Sequence, residues 1–379
     1  MHILSVAMGY PSDKEKYNNN FIHTRIKLYQ RSGYNASMFL LSKKKNTSYV
    51  YDNVNVTCGN GHDLVELVNK SLDIMCVCFH FITPEMINAI KHFRENLGVI
   101  IFVHGNEALW WYERIFPDRL GDFVHVIKFA RYIIRNSISM ARIRKSIADI
   151  SDRSYFVGVS RWMIDVAKKN WKLSPDTHTV IIPNIVDNEL FSYKERTDEK
   201  RLNVLMIRSF TSGKYALDIA MEIIKEIQKY PEAKKIHITV YGDGWLYEKY
   251  TNRIKMFDNV ELHKGLLSHE EMAEVFSQNG FFICPTRQDA QGVSMCEAMC
   301  SGLVPISSPN TAIPEFLPTE YNLMFDSPSD SAKRIIDLIH NPEEYRELSK
   351  SVSEFIVTKC SPNETTDKEI ELMGTFASR

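Results

Sequence analysis

Two carboxylates, two cations and a turn at the start of a helix carry the chemistry of this sequence. The segment Pro285–Gly302 reads as the end of a strand, a short loop with Gly292, and a helix beginning near Val293. Backbone N–H groups at such a helix start point outward and attract phosphate. Glu297 falls about one turn into that helix, close to the same mouth. A carboxylate there can accept two hydrogen bonds from a diol such as a ribose. Asp289, before the helix, is placed to meet a sugar hydroxyl. Taken alone, the two acids are also explained by the helix dipole and by a loop in water. Arg208 and Lys214 follow the strand Asn203–Ile207. Surface cations are usually just solvated, but a position past the carboxyl end of a strand favours a ligand. Gly242 and Gly244 flank Asp243 after another strand, an arrangement that is also an ordinary turn. Tyr247 stands where a dinucleotide fingerprint needs its third glycine. His104, in Val103–Glu107, closes an apolar strand and is either a cleft residue or a satisfied loop histidine.

These residues lie in a pattern similar to retaining glycosyltransferase family 4, which has the GT-B fold. Its two acids eight apart, an Ala-Met-small-Gly run and a strand with proline correspond to Asp289, Glu297, Ala298–Gly302 and Val304–Ile306. Asp289 departs from the family's usual glutamate and is one methylene shorter. The resemblance implies that Arg208 and Lys214 hold a departing diphosphate. It further implies that Glu297 grips the ribose and that Asp289, Gln291, Gly292 and Val293 position the donor sugar. Gly242 and Gly244 would let the nucleotide approach, the backbone near Leu266 would meet the base, and His104 would support the reacting face. Asn19 and Asn20 stand where the family often has a glycine pair, and asparagine tolerates the same unusual backbone angles. No nucleophile is assigned, Glu107 included.

The elements that must position these groups alternate along the chain. Strands are expected at His2–Ala7, Ala36–Leu41, Ile74–His80, Val99–His104, Tyr155–Val159 and Val180–Pro183. A second series is expected at Asn203–Ile207, Ile236–Tyr241, Val260–His263, Phe281–Cys284, Val304–Ser307 and Asn322–Phe325. Helix-period stretches such as Pro84–Asn96, Tyr215–Lys229 and His269–Gln278 lie between them. The expectation is an α/β protein with two facing Rossmann-like domains, parallel sheets and an interdomain cleft. The first domain, which would bind the acceptor, is set at 1–192 and completed by a returning helix over 363–379. The second, for the nucleotide sugar, is set at 193–362. The charged run Tyr193–Arg201 reads as a linker, and Ser160, Ile182–Asp187 and their neighbours as boundary or hinge elements.

Composition excludes several classes. The chain has 379 residues with 44% hydrophobic and 25% charged, which describes a soluble globular protein of two domains. A net charge of -1 gives no global pull toward nucleic acid. The seven cysteines, an odd number in mostly apolar runs, read as reduced thiols. No zinc-ligand spacing and no Asp-x-Asp pair occur, so no cofactor and metal-independent chemistry are expected. The first apolar run is too short for a signal peptide and no run spans a membrane, so a cytoplasmic protein is expected. Between Phe123 and Ile147 six cations and no acid are interleaved with apolar residues. This is either a solvated basic face over a buried one, or peripheral contact with an anionic membrane.

The implied activity is transfer of a hexosyl or N-acetylhexosaminyl group, UDP-sugar favoured over GDP-sugar, to a saccharide or lipid-linked saccharide with retention. Bacterial surface polysaccharide synthesis is the expected setting. The rivals are a GT-B phosphorylase or nucleotide-sugar epimerase, and a non-catalytic binding protein of the same fold.

Overall fold

The computed structural model describes residues 2–12, 18–42, 47–118 and 123–377. Tyr17, which opens the segment leading into the first helix, lies outside them, as do residues 378 and 379 at the end of the expected returning helix. The chain divides into two compact units. One comprises 1–114, 130–185 and 362–379, the other 115–129 and 186–361. The division falls at Ile185, ahead of the boundary expected at Ser192, and the segment 115–129 belongs to the second unit.

The first unit is built on an eight-stranded sheet. Its strands are β1 (His2–Ala7), β2 (Asn35–Leu41), β3 (Thr47–Tyr51), β4 (Val54–Gly59), β5 (Ile74–His80), β6 (Gly98–Val103), β7 (Ser154–Gly158) and β8 (Thr179–Ile181). Their order is β3-β4-β2-β1-β5-β6-β7-β8. β6 is buried at every position, as expected of a parallel strand covered on both faces. β3 and β4 were not among the expected strands; β3 runs antiparallel to β4 at the edge of an otherwise parallel sheet. Their turn, Asp52-Asn53, has φ of 43° and 62°. Two successive left-handed residues twist a hairpin in the sense its strands require.

The helix Pro362–Ala377 packs on the first helix, Asn20–Arg31, and on β5 and β6. Phe376 fills the space above Gly98, where a Cβ would lie 2.5 Å from its ring. A buried network ties these elements together. Arg25 Nε donates to Glu369 Oε1 at 3.0 Å, Arg25 Nη2 to Asn184 Oδ1 at 3.2 Å, and Tyr29 Oη to Glu369 Oε2 at 2.5 Å.

The second unit holds β9 (Asn203–Ile207), β10 (His237–Gly242), β11 (Val260–Lys264), β12 (Phe281–Ile283) and β13 (Val304–Ile306), in the parallel order β11-β10-β9-β12-β13. The strand expected at Asn322–Phe325 reduces to a single bridge between Ser307 and Met324. Asn322 already leaves extended geometry, with φ 41°. The helix expected over Pro84–Asn96 ends at Ile90. The charged run Tyr193–Arg201 is mostly exposed, but two of its cations, Arg196 and Arg201, are buried. Arg196 is buried, its Nε donating to Asn279 O at 2.7 Å and its Nη2 to Phe276 O at 3.0 Å and Ser301 O at 2.6 Å. Those carbonyls close the helices His269–Ser277 and Val293–Cys300, and the negative end of a helix attracts a cation. All seven cysteines are free and buried. Among the described residues no helix is long and apolar enough to cross a membrane.

Removing one partner of a buried ion pair strands the other charge, at a cost of about 3–5 kcal/mol. Glu369→Ala is therefore expected to lower stability by about that amount in urea denaturation. Arg25→Met combined with Glu369→Leu should cost less than the two single changes added together.

Candidate functional site

In the second unit, the expected cations and the helix start come together at the carboxyl ends of β9 and β12. Arg208 leaves β9 with its backbone N–H bonded to Tyr241 O at 3.1 Å. Its guanidinium is buried: Nη2 donates to Cys284 O at 2.7 Å, just past β12, and Nη1 to Ser294 Oγ at 3.3 Å. Lys214 sits in the turn Gly213–Tyr215, whose carbonyls and next residues are bonded to the loop after β12. Arg287 N and Thr286 Oγ1 donate to Lys214 O at 2.8 and 3.1 Å. Both cations lie against one ring: Lys214 Nζ is 4.5 Å and Arg208 Cζ 6.0 Å from the centroid of Tyr215. Among the described residues neither makes an ion pair, while their neighbour Arg287 is paired with Asp218 at 2.7 Å.

The helix Val293–Cys300 begins at Gly292, whose φ of 77° is the left-handed conformation that favours glycine. Asp289 Oδ1 accepts from Gly292 N at 2.8 Å and Gln291 N at 3.2 Å. Met295 N and Cys296 N return to Gly292 O. The half-buried Val293 and Ser294 therefore present the helix's unpaired N–H donors. One oxygen of Asp289 is thus engaged in shaping the loop rather than facing solvent; Oδ2 makes no hydrogen bond among the described residues. The Gln291 side chain points away from this mouth. It is buried, with Nε2 3.7 Å from Cys360 Sγ, because the loop turns it beneath the helix.

Glu297 is buried on the same helix, with His269 Nε2 3.9 Å from Oε1. Burial pushes its carboxyl up to about 8. Gly242 and Gly244 serve a close approach of backbone to backbone. A Cβ on Gly242 would lie 2.2 Å from Arg208 O, and one on Gly244 2.4 Å from the Phe210 carbonyl carbon. Phe210 N donates to Asp243 O at 2.8 Å and Leu246 N to Phe210 O at 3.0 Å. The two glycines hold the Arg208 loop in place, a different use from admitting a nucleotide directly. Leu266, in the loop after β11, is 78% exposed. Ser268 caps the helix His269–Ser277 by accepting from Glu271 N.

In the first unit His104 lies just past β6, half-buried, with Nε2 3.0 Å from His80 Nδ1 at the end of β5. The rings stack with centroids 5.3 Å apart, among Phe21, Phe81 and Phe102. Burial, and then the Arg25 charge, hold His104 well below the usual histidine range, and burial lowers His80 likewise; between two neutral rings one nitrogen donates and the other accepts. His80 is the neighbour that sequence reading missed, although it ends a strand just as His104 does. Glu107 Oε1 accepts from His104 N at 2.6 Å, and burial raises its carboxyl to about 7. Asn19 has φ 56° and donates from Nδ2 to Gly9 O at 3.1 Å, so asparagine does supply the left-handed backbone expected there.

Residues 201–341 match the family model of glycosyl transferases group 1. Over 303 residues the chain is 23% identical to an uncharacterized glycosyltransferase of Methanocaldococcus jannaschii, covering 78% of this chain and 74% of that relative. Several further relatives are matched over less than half their own length. A solved glycosyltransferase of Rickettsia africae aligns with a TM-score of 0.68 at 14% identity, over 100% of this chain and 99% of that one. Anabaena HepE, solved in complex with UDP and glucose, aligns with a TM-score of 0.64 at 11% identity, over 99% of this chain and 100% of its own. Residues 201–341 are thus a glycosyl transferases group 1 domain, and the chain is a glycosyltransferase of the GT-B fold.

A carboxyl raised by burial makes folding favour its protonated form. Between the ordinary glutamate value and about 8 the folded chain holds one more proton than the unfolded chain, so stability falls as pH rises through that window. Glu297→Gln is expected to match the wild type near pH 4 in urea melts. It should exceed it by on the order of a few kcal/mol above pH 8.

Proposed function

We propose that the chain is a retaining glycosyltransferase of family 4 that moves a hexosyl or N-acetylhexosaminyl group from a UDP-sugar to a hydroxyl of a saccharide or lipid-linked saccharide. The carrying observation is the pair Arg208 and Lys214 on one tyrosine ring, without a counter-ion among the described residues, beside the N–H groups of Val293 and Ser294, which take no acceptor among them. As the bond between the anomeric carbon and the diphosphate oxygen breaks, negative charge grows on the leaving group. Fixed cations and N–H donors lower the barrier by meeting that charge where it develops. They also stand in for a metal ion, which makes transfer metal-independent in this reading.

Glu297 takes the ribose diol. A neutral carboxyl can donate one hydrogen bond and accept another, and an ionised one can accept two. Asp289 keeps Oδ2 for a donor-sugar hydroxyl while Oδ1 shapes the loop. Gly292 and Val293 offer backbone to the sugar, and the exposed loop at Leu266 the base. His104 rests on the family resemblance. UDP is favoured over GDP because Anabaena HepE, of the same fold, was solved with UDP and glucose. The family resemblance favours a role in bacterial surface polysaccharide synthesis.

A panel of nucleotides and nucleotide sugars tests this by thermal shift and by product analysis. UDP and a UDP-sugar are expected to raise the midpoint where GDP does not. Lys214→Ala is expected to cut donor turnover by about 10²–10³-fold while leaving the unliganded melt unchanged. NMR of the product should show the donor's own anomeric configuration. Equal turnover in Lys214→Ala, or transfer to inorganic phosphate in place of a saccharide, would refute the assignment.

A further inference from the structure

The helix Phe123–Ser146 carries an outward face that the glycosyl-transfer chemistry does not use. From Ala130 onward it belongs to the first unit, and there its inward side is fixed. Met140 and Ile143 are buried, Asn136 Nδ2 donates to Leu109 O at 3.0 Å, and Asn136 Oδ1 accepts from Trp111 N at 2.7 Å. Arg114 donates to Tyr132 Oη at 2.9 Å, so the residues facing the body of the unit are well held.

The opposite side is of two kinds at once. Ile134 and Ile138 are 60% and 48% exposed, and Val124 and Ile127 are exposed as well. At about 100° per residue, Ile127, Ile134 and Ile138 form one stripe, and Lys128, Arg131, Arg135 and Arg142 a second stripe beside it. All four of these cations are exposed, and so are Arg144 and Lys145 in the last turn. Among the described residues none of the six makes an ion pair, and the helix contains no acid. The chain as a whole carries a net charge of -1, so this concentration of positive charge is local.

Exposed isoleucines in water cost free energy, and a soluble helix normally turns such residues inward. A shoulder of unpaired lysine and arginine next to them calls for a partner that is apolar in depth and anionic at its surface. We propose that this face docks on an anionic lipid bilayer. The helix would lie in the plane of the headgroups with its isoleucine stripe toward the acyl chains, while the cations extend along the surface to the phosphates. Docking of this kind brings the enzyme to an acceptor held at a membrane, and it stands independently of which donor the second unit takes.

Flotation of the full-length protein with liposomes tests the proposal. The wild type should float with vesicles rich in phosphatidylglycerol and bind phosphatidylcholine vesicles at least roughly tenfold more weakly, with the difference shrinking in high salt. Arg131→Glu with Arg135→Glu should lose at least roughly tenfold in binding to the anionic vesicles, and Ile134→Asp with Ile138→Asp should lose binding to both compositions. UDP-sugar hydrolysis, where present, should be unchanged in both variants, and a circular dichroism melt checks that each is folded. Where a variant is unfolded, Arg131→Gln with Arg135→Gln and Ile134→Ser with Ile138→Ser replace it. Wild-type binding that ignores lipid charge, variants that bind like the wild type, or absence of flotation would overturn the proposal. So would a dimer in sedimentation velocity that the same substitutions dissolve, since the face would then belong to a second copy of the chain.

Discussion

Positive charge left without a counter-ion is the constraint around which the second unit is arranged. A buried guanidinium is costly unless its donors are satisfied and its charge is met. Elsewhere the chain obeys this rule. Arg25 faces Glu369, Arg287 faces Asp218, and Arg196 is set among carbonyls at the negative ends of two helices. Arg208 is treated differently. It is oriented by neutral acceptors, Cys284 O and Ser294 Oγ, and makes no ion pair among the described residues. The helix end it touches is the positive one. Lys214 adds a second cation over the same ring, and the nearest loop carboxylate, Asp289, spends one oxygen on backbone N–H groups. The arrangement is electrostatically incomplete, and the proposed diphosphate is the kind of group that would complete it.

The glycines show how local the supporting demands are. Gly242 and Gly244 read in sequence as a turn that admits a ligand, yet the space beside each is taken by the chain carrying Arg208 and Phe210. Their effect on a ligand is indirect: with any larger residue there, β9 would have to release the loop that aims Arg208. Gly292 differs, because its left-handed backbone starts the helix whose free N–H groups face outward. Similar motifs thus act at different removes from the chemistry, and only the packing distinguishes them.

Most of the fold was legible because period and punctuation agree. β1, β5 and β9 carry the bounds expected from their apolar runs. The β3–β4 hairpin escaped because β4 alternates apolar and polar residues and β3 is an edge strand with no buried residue, so no continuous apolar run marks them. Asp52-Asn53 was the available signal. Arg196 was misjudged because a charged run without period reads as solvated, and nothing in sequence shows that two helix ends lie beside it. The Arg208, Lys214 and Val293 cluster was legible because each follows the carboxyl end of a parallel strand, and topology gathers such ends. The inward turn of Gln291 and the pairing of His80 with His104 were not, since both depend on which side of a loop or strand end is packed.

That division has a chemical corollary. The features proposed to meet a leaving diphosphate are generated by the architecture: strand ends, a helix start, and two cations fixed by backbone carbonyls and a ring. They need few particular side chains. The features that would distinguish one sugar from another are single side chains with little redundancy. Asp289 is committed at one oxygen, and Glu297 sits in a buried setting that favours its neutral form. A shorter acid at position 289 cannot be offset by the backbone, because its other oxygen already sets the loop. In the proposed function, donor choice therefore rests on a smaller and more mutable part of the site than the transfer chemistry does.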